Sequence, residues 1–233
     1  MSAPSNTEPP IRCGDWRHAL AGVTADCLIS DPPYSARTHS GSEINRGDGR
    51  STVGHFPSYF AWSPDDVGEF VASWSPRIRG WMVALTDSEL IGCWRAAFEA
   101  CGRYAFAPVP CVMRGMSVRL SGDGPSSWAV YAMVARPATK AFVTWGTLDG
   151  AYTGNRGTDA SAGRGKPDWL MRALVRDYSR PGDLVIDPCA GWGTTLTAAI
   201  GLGRRALGAE IDPAVCAEGN SRIARGSQTE LFA

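Results

Sequence analysis

Four consecutive residues, Asp31, Pro32, Pro33 and Tyr34, carry the clearest chemical possibility in this 233-residue chain. An amino group on an aromatic ring, as in adenine or cytosine, is a poor nucleophile because its lone pair is delocalised into the ring. A carboxylate at Asp31 accepting one of its N–H groups, with the Pro32 carbonyl accepting the other, would draw that nitrogen toward tetrahedral geometry. The two prolines stiffen the segment and remove N–H donors that would compete. Tyr34 offers a flat face for the ring, and base–aromatic stacking is worth about 1–3 kcal/mol. Such chemistry cannot take place inside a duplex, so the base has to be flipped out of it.

A second segment, Asp187-Pro188-Cys189-Ala190-Gly191-Trp192-Gly193-Thr194-Thr195, lies between an apolar strand and a helix. Its glycines allow backbone to approach a ligand closely, and an open helix N-terminus supplies amide donors. A nucleoside-sized cofactor fits such a turn. Glu210, on the next strand, stands where an acidic side chain meets a ribose in nucleotide-binding α/β units. The glycine pattern lacks the third glycine of the dinucleotide fingerprint, so taken alone it also fits a tight, ligand-free strand-to-helix turn.

The surrounding pattern supplies elements to hold both segments. A strand ends near Cys13-Gly14-Asp15, a short helix runs from Trp16 to Leu20, and the apolar strand from Asp26 to Ser30 runs directly into Asp31, where two prolines stop regular pairing. Residues 35–57 then lose all period and read as a long loop, with Arg37, His39, Arg46, Arg50 and His55 suited to phosphate contacts around an extruded nucleotide. Further on, the pattern predicts a helix from Asp65 to Ser73, a strand from Trp81 to Leu85, and a helix from Ser88 to Cys101. A hairpin follows, with strands near Ala107 to Met113 and Ala129 to Ala135. Residues 137–165 read as irregular. Trp169, Leu170, Ala173, Leu174 and Tyr178 fall at helical spacing, and Pro181-Gly182 ends that helix. A strand over 184–186, a helix over 194–202, a strand over 205–209 and a helix over 213–224 complete an α/β sheet with helices on both faces.

Composition excludes several classes. Hydrophobic residues make up 44% of the chain and charged residues 20%, as in ordinary globular domains. No apolar run is long enough to span a bilayer and the polar, proline-rich start does not read as a signal peptide, so the expected location is the cytoplasm with no membrane partner. A formal net charge of zero rules out a general polyanion binder and makes any nucleic-acid contact local. The seven cysteines are scattered without a C-x-x-C pair, and His18, His39 and His55 do not cluster with Asp or Cys, so neither a disulfide framework nor a metal site is expected. Trp74, Trp81, Trp94 and Trp169 fall in periodic apolar segments and read as core; Trp62 and Trp192 do not. Asp123 and Asp149 sit in glycine-rich turns and read as turn residues.

On Gly14-Asp15, Asp31 to Tyr34, Lys166-Pro167, the Asp187 to Thr195 segment and Glu210, the chain resembles the DNA amino-methyltransferases that modify N6 of adenine or N4 of cytosine. Because the tetrapeptide precedes the glycine segment, it resembles the circularly permuted, beta-class order of that family. The resemblance covers residues 11–34 and 166–224 by motif. It implies a Rossmann-like, S-adenosylmethionine-dependent methyltransferase fold with a seven-stranded mixed sheet. It also implies a single domain over residues 11–233, with irregular inserts at 35–57 and 137–165 and a disordered tail at 1–10. Asp31, Pro32, Pro33 and Tyr34 become the catalytic residues. Asp15, Lys166, Pro167, Asp187, Pro188, Gly191, Gly193, Thr194 and Glu210 become the cofactor-binding residues: Glu210 for the ribose hydroxyls, Asp187 to Thr194 for the methionine part, Lys166-Pro167 closing over the cofactor.

Cys189 and Trp192 depart from the Phe and Ser common in the family. The region available for target recognition, 137–165, is short, which leaves sequence specificity open and points to a partner or homodimer. Asp at the start of the tetrapeptide favours adenine N6. Cytosine N4, RNA adenine, a protein glutamine side chain, and an inactive DNA-binding module of the same fold are the alternatives. The tetrapeptide carries no cysteine nucleophile, which argues against cytosine-C5 chemistry.

Overall fold

The computed structural model describes residues 8–38, 61–115, 127–138, 145–156 and 165–230, with side chains described up to residue 226. In chain order the elements are β1 (Ile11–Cys13), α1 (Trp16–Ala19), β2 (Cys27–Ser30), α2 (Pro64–Trp74), a 3-10 turn (Ser75–Arg77), β3 (Met82–Thr86), α3 (Ile91–Ala100), β4 (Arg103–Ala105), β5 (Val109–Arg114) and β6 (Ala129–Pro137). They continue with β7 (Tyr152–Asn155), α4 (Asp168–Tyr178), β8 (Leu184–Asp187), α5 (Thr194–Gly201), β9 (Arg205–Glu210) and α6 (Pro213–Glu230). The chain divides into two compact units, residues 1–30 with 160–233 and residues 31–159, and the first of the two boundaries falls between Ser30 and Asp31.

The first unit is built on parallel strands. β9 lies between β1, with Cys13 opposite Glu210, and β8, with Asp187 opposite Gly208; β8 in turn pairs with β2, Cys27 opposite Val185. All four residues of β2 and of β8 are buried, as expected of parallel strands covered on both faces. Ile11, Ala190, Leu196, Cys216 and Ile223 form one apolar cluster that seats α5 and α6 on this sheet. Asn220 of α6 closes the same corner by accepting from the Ile11 N–H at 2.9 Å and donating to its carbonyl at 2.8 Å.

The second unit is mainly antiparallel. β6 pairs with β3 on one side, Met82 opposite Ala135, and on the other side with β5 and then β4, Val109 opposite Ala132 and Arg103 opposite Pro137. β7 adds to β5 in parallel, Cys111 opposite Tyr152. α2 starts at a complete capping box, in which Ser63 and Asp66 satisfy each other's backbone N–H groups, with Pro64 at the first helical position. Its Phe70 meets Trp94 of α3 edge-on at 5.8 Å, and Trp94 packs on Phe98 at 5.7 Å.

Several expectations need correcting. The described residues hold nine strands, four in the first unit and five in the second, against the seven implied. β4 and β7 are the ones the pattern missed. Both are short, and β7 (Tyr-Thr-Gly-Asn) has neither alternation nor an apolar run; its parallel ladder to β5 makes it a strand. Residues 137–165 are therefore not wholly irregular. Within the tail expected over 1–10, the Pro10 carbonyl accepts from Gly208 N at 2.8 Å, and residues 1–7 lie outside the described residues. Of the loop expected over 35–57, residues 36–38 are helical, while His39, Arg46, Arg50 and His55 lie outside the described residues, as does Asp123. Trp74, Trp81 and Trp94 are core as expected, but Trp169 is only half-buried. No helix among the described residues is long and apolar enough to cross a membrane.

Candidate active site

In the first unit the glycine turn is shaped by its own backbone and by Glu210. Gly191 and Gly193 have φ of 51° and 75°, left-handed values that other residues adopt only with strain, and Gly193 is the N-cap of α5. A methyl group on Gly193 would lie 3.0 Å from Ile223 Cδ1 and 3.2 Å from Ile11 Cδ1, so the turn is pressed against the apolar cluster. Glu210 is 4% exposed; one oxygen accepts from the Gly191 N–H at 2.9 Å and the other from the Asp212 N–H at 2.9 Å. Burial pushes its carboxyl above the usual glutamate range, with those amides opposing only part of the shift. Each carboxylate oxygen has a second lone pair with which to accept a ligand hydroxyl.

The parallel pairing of β1 with β9 brings Gly14-Asp15 to Glu210 from the far end of the sequence: Gly14 N donates to the Glu210 carbonyl at 2.8 Å. Asp15 itself caps α1, accepting from Arg17 N at 2.8 Å, and forms an ion pair with the Arg17 guanidinium at 2.9 Å. Lys166-Pro167 follows a glycine that lies against the start of α5. Pro167 caps α4, and a methyl on the preceding Gly165 would meet Thr194 Oγ1 at 3.0 Å. Asp187, 1% exposed, accepts from Ser30 Oγ at 2.7 Å and from Cys189 N at 3.1 Å. A buried carboxylate beside two positive-φ glycines at the N-terminus of α5 is chemistry that fits a nucleoside cofactor carrying an amino-acid tail.

In the second unit the tetrapeptide opens the chain directly after β2. Asp31 is half-buried and Tyr34 is buried at 8% exposure, its hydroxyl donating to Asp31 Oδ1 at 2.9 Å. The tyrosine thus orients the carboxylate, a role its residue type allows but its spacing does not reveal. The Tyr34 carbonyl accepts from Trp62 N at 2.9 Å, and the half-buried Trp62 ring packs on Phe70 at 5.2 Å and on Trp94 at 6.2 Å. Ser35 and Thr38 both donate to the buried carboxylate of Asp87, at the end of β3. Arg37 is largely exposed and forms a loose 3.8 Å pair with Glu89, which adds little stability.

Sequence reasoning missed Ser30, Asp87 and Gly208. Ser30's bond to Asp187 and Asp87's bonds to Ser35 and Thr38 leave no trace in spacing, because these partners are far apart in the chain. Gly208 does carry a signal, since a glycine inside a strand marks a close backbone approach. A methyl there would lie 2.7 Å from the Asp187 carbonyl oxygen and 2.8 Å from Ala190 Cβ. Among the described residues no group of three side chains could hold a metal ion.

Comparison with known proteins places the chain by family and by fold. Residues 154–221 match the N6/N4 family of DNA methylases. The chain is 33% identical to the putative methylase YubD of Escherichia coli K12 over 233 aligned positions, covering 91% of this chain and 88% of that protein. It is 45% identical to the DNA adenine methyltransferase YhdJ of the same organism over 47 residues, 20% of this chain, but the chain spans only 16% of that relative's length. Among solved structures, that of the M1.HpyAVI–SAM complex superposes with a TM-score of 0.68 at 18% identity, covering 92% of this chain and 98% of the other. That likeness is one of fold: the mixed α/β fold of S-adenosylmethionine-dependent methyltransferases.

Proposed function

This chain belongs to the N6/N4 DNA methylase family, and we propose that it transfers the methyl group of S-adenosylmethionine to an exocyclic amino group of a flipped DNA base, adenine N6 being the target. The observation that carries the reading is the end of β2. Ser30, fully buried, is bonded to Asp187 of the glycine turn, and the next residue in the chain is Asp31.

When bound, S-adenosylmethionine supplies a methyl group on a positively charged sulfur. Glu210 accepts the ribose hydroxyls, Asp15 flanks the adenine end, and Asp187, Pro188, Gly191, Gly193 and Thr194 surround the methionine part. Lys166-Pro167 close over it. Asp31 accepts one amino N–H of the base and the Pro32 carbonyl the other; Tyr34 orients Asp31 through its hydroxyl and presents its ring to the base, with Pro33 holding the segment stiff. Catalysis then consists of orientation and exclusion of water, and no enzyme thiol is consumed. Residues 11–233 act as one catalytic domain in the cytoplasm. A second copy of the chain, or a partner, adds the DNA recognition that the short region 137–165 does not supply.

The choice of adenine rests on Asp31, the residue at which the adenine and cytosine-N4 enzymes tend to divide. Nucleoside mass spectrometry on DNA from cells expressing the protein tests it: N6-methyladenine is expected, and N4-methylcytosine in its place reassigns the base. Calorimetry tests the enzyme reading itself, which ends if S-adenosylmethionine fails to bind at millimolar concentration.

A further inference from the structure

Asp87, the residue after β3, is a carboxylate 7% exposed whose two oxygens serve different parts of the second unit. Oδ1 accepts from the backbone N–H groups of Glu89 and Leu90, both at 3.2 Å, in the turn that leads into α3. Oδ2 accepts from Ser35 N at 3.0 Å, from Ser35 Oγ, and from Thr38 Oγ1 at 2.6 Å. Capping the approach to a helix requires only the first oxygen. The second is devoted to the residues that directly follow Tyr34. Burial alone would raise this carboxyl, but the donors from Ser35, Thr38 and Leu90 together outweigh it and hold the group below the usual aspartate range.

Five donors on one buried carboxylate leave it no freedom to move. Ser35 is joined to Tyr34 by a peptide bond, and the Tyr34 carbonyl is itself held by Trp62 N. The tetrapeptide therefore ends between two anchors, one from the start of α2 and one from the end of β3. We propose that Asp87 is a positioning residue for methyl transfer: through Ser35 and Thr38 it sets where Tyr34 and its bonded partner Asp31 stand. This rests on the catalytic reading of Asp31 to Tyr34 given above.

Asp87→Asn keeps the shape but turns an amide NH2 toward donors on one side or the other. The experiment measures the calorimetric Kd for S-adenosylmethionine, kcat and KM on DNA, and the thermal midpoint. Wild type is assayed first. Misplacing a reacting group by about 1 Å costs on the order of 10²-fold in rate, so Asp87→Asn is expected to lower kcat by about 10²-fold with cofactor Kd within about twofold of wild type. Thr38→Val, losing one donor, gives a smaller fall in kcat. Phe98→Leu, a core substitution in α3, lowers the thermal midpoint and leaves kcat unchanged.

Wild-type kcat in Asp87→Asn overturns the proposal, as does a loss no greater than the loss of folded protein. Should Asp87→Asn not fold, wild-type kcat in both Ser35→Ala and Thr38→Val overturns it equally. A wild-type protein that methylates no DNA base refutes the catalytic reading underneath, and that failure is recognised before any variant is compared.

Discussion

The glycine turn at 187–195 and the tetrapeptide at 31–34 are anchored in opposite ways. The turn is held mostly by its own strands: Ala190 N bonds to Ala209 on the neighbouring β9, Gly191 N to Glu210 at the end of that strand, and Gly193 N to Ala190 three residues back. Among the described residues the tetrapeptide has a bond of its own, from Tyr34 to Asp31, and its C-terminal end is held by Trp62 and Asp87, which lie elsewhere in the chain. A turn built from backbone geometry demands particular residue types at particular spacings. A segment held by groups distant in the chain constrains those partners only through the fold. Cofactor binding should therefore withstand changes around the tetrapeptide, while turnover should not.

The largest expected effect tests that separation directly. Asp31→Ala should reduce methyl transfer by about 10³-fold or more while leaving the calorimetric affinity for S-adenosylmethionine unchanged. Wild-type turnover in this variant would break the contrast at its centre. Gly208→Ala is the counterpart in the first unit. Its new methyl group meets the Asp187 carbonyl oxygen at 2.7 Å, an overpacking that should cost about 1–3 kcal/mol of stability and weaken cofactor binding. A thermal midpoint equal to wild type would show that the turn is softer than its contacts indicate.

Glu210 gives a pH signature of intermediate size. Because burial raises its carboxyl, the free protein gains stability below the ordinary glutamate value and loses it as pH rises through the raised one. Cofactor affinity should run the other way, falling as pH drops through that same window, because the ionised form is the better acceptor for ribose hydroxyls. Glu210→Gln should bind about tenfold more weakly and lose the pH dependence. A titration by calorimetry that shows no difference in slope between the two would remove Glu210 from the ribose. Smallest is Ser30→Ala, which takes one of two described donors from Asp187 and should cost about 1 kcal/mol, read as a modest drop in thermal midpoint. An effect on kcat as large as that of Asp31→Ala would merge the two regions into one.

Most elements were legible because their periods are local. β2 and β8 are unbroken apolar runs, and α4 shows its buried face at helical spacing. Boundaries shifted where a tertiary contact intervened: α3 begins at Ile91 rather than near Ser88 because Asp87 holds the Glu89 and Leu90 N–H groups in a separate turn. β4 and β7 were illegible because neither segment has an intrinsic strand pattern; each is a strand only by virtue of its partner, β6 or β5.

By itself, then, the sequence determined the α/β class, the permuted order of the two motifs, and the local character of both candidate segments, since stiffness at Pro32-Pro33 and positive φ at Gly191 and Gly193 are properties of the residues themselves. Only the tertiary structure decided that Glu210 braces Gly191 across a turn, that Tyr34 orients Asp31 through its hydroxyl, and that Asp87 fixes the chain just beyond it. Hydrogen bonds between side chain and distant backbone depend on strand register and burial. Neither quantity is written in the spacing of residues along the chain.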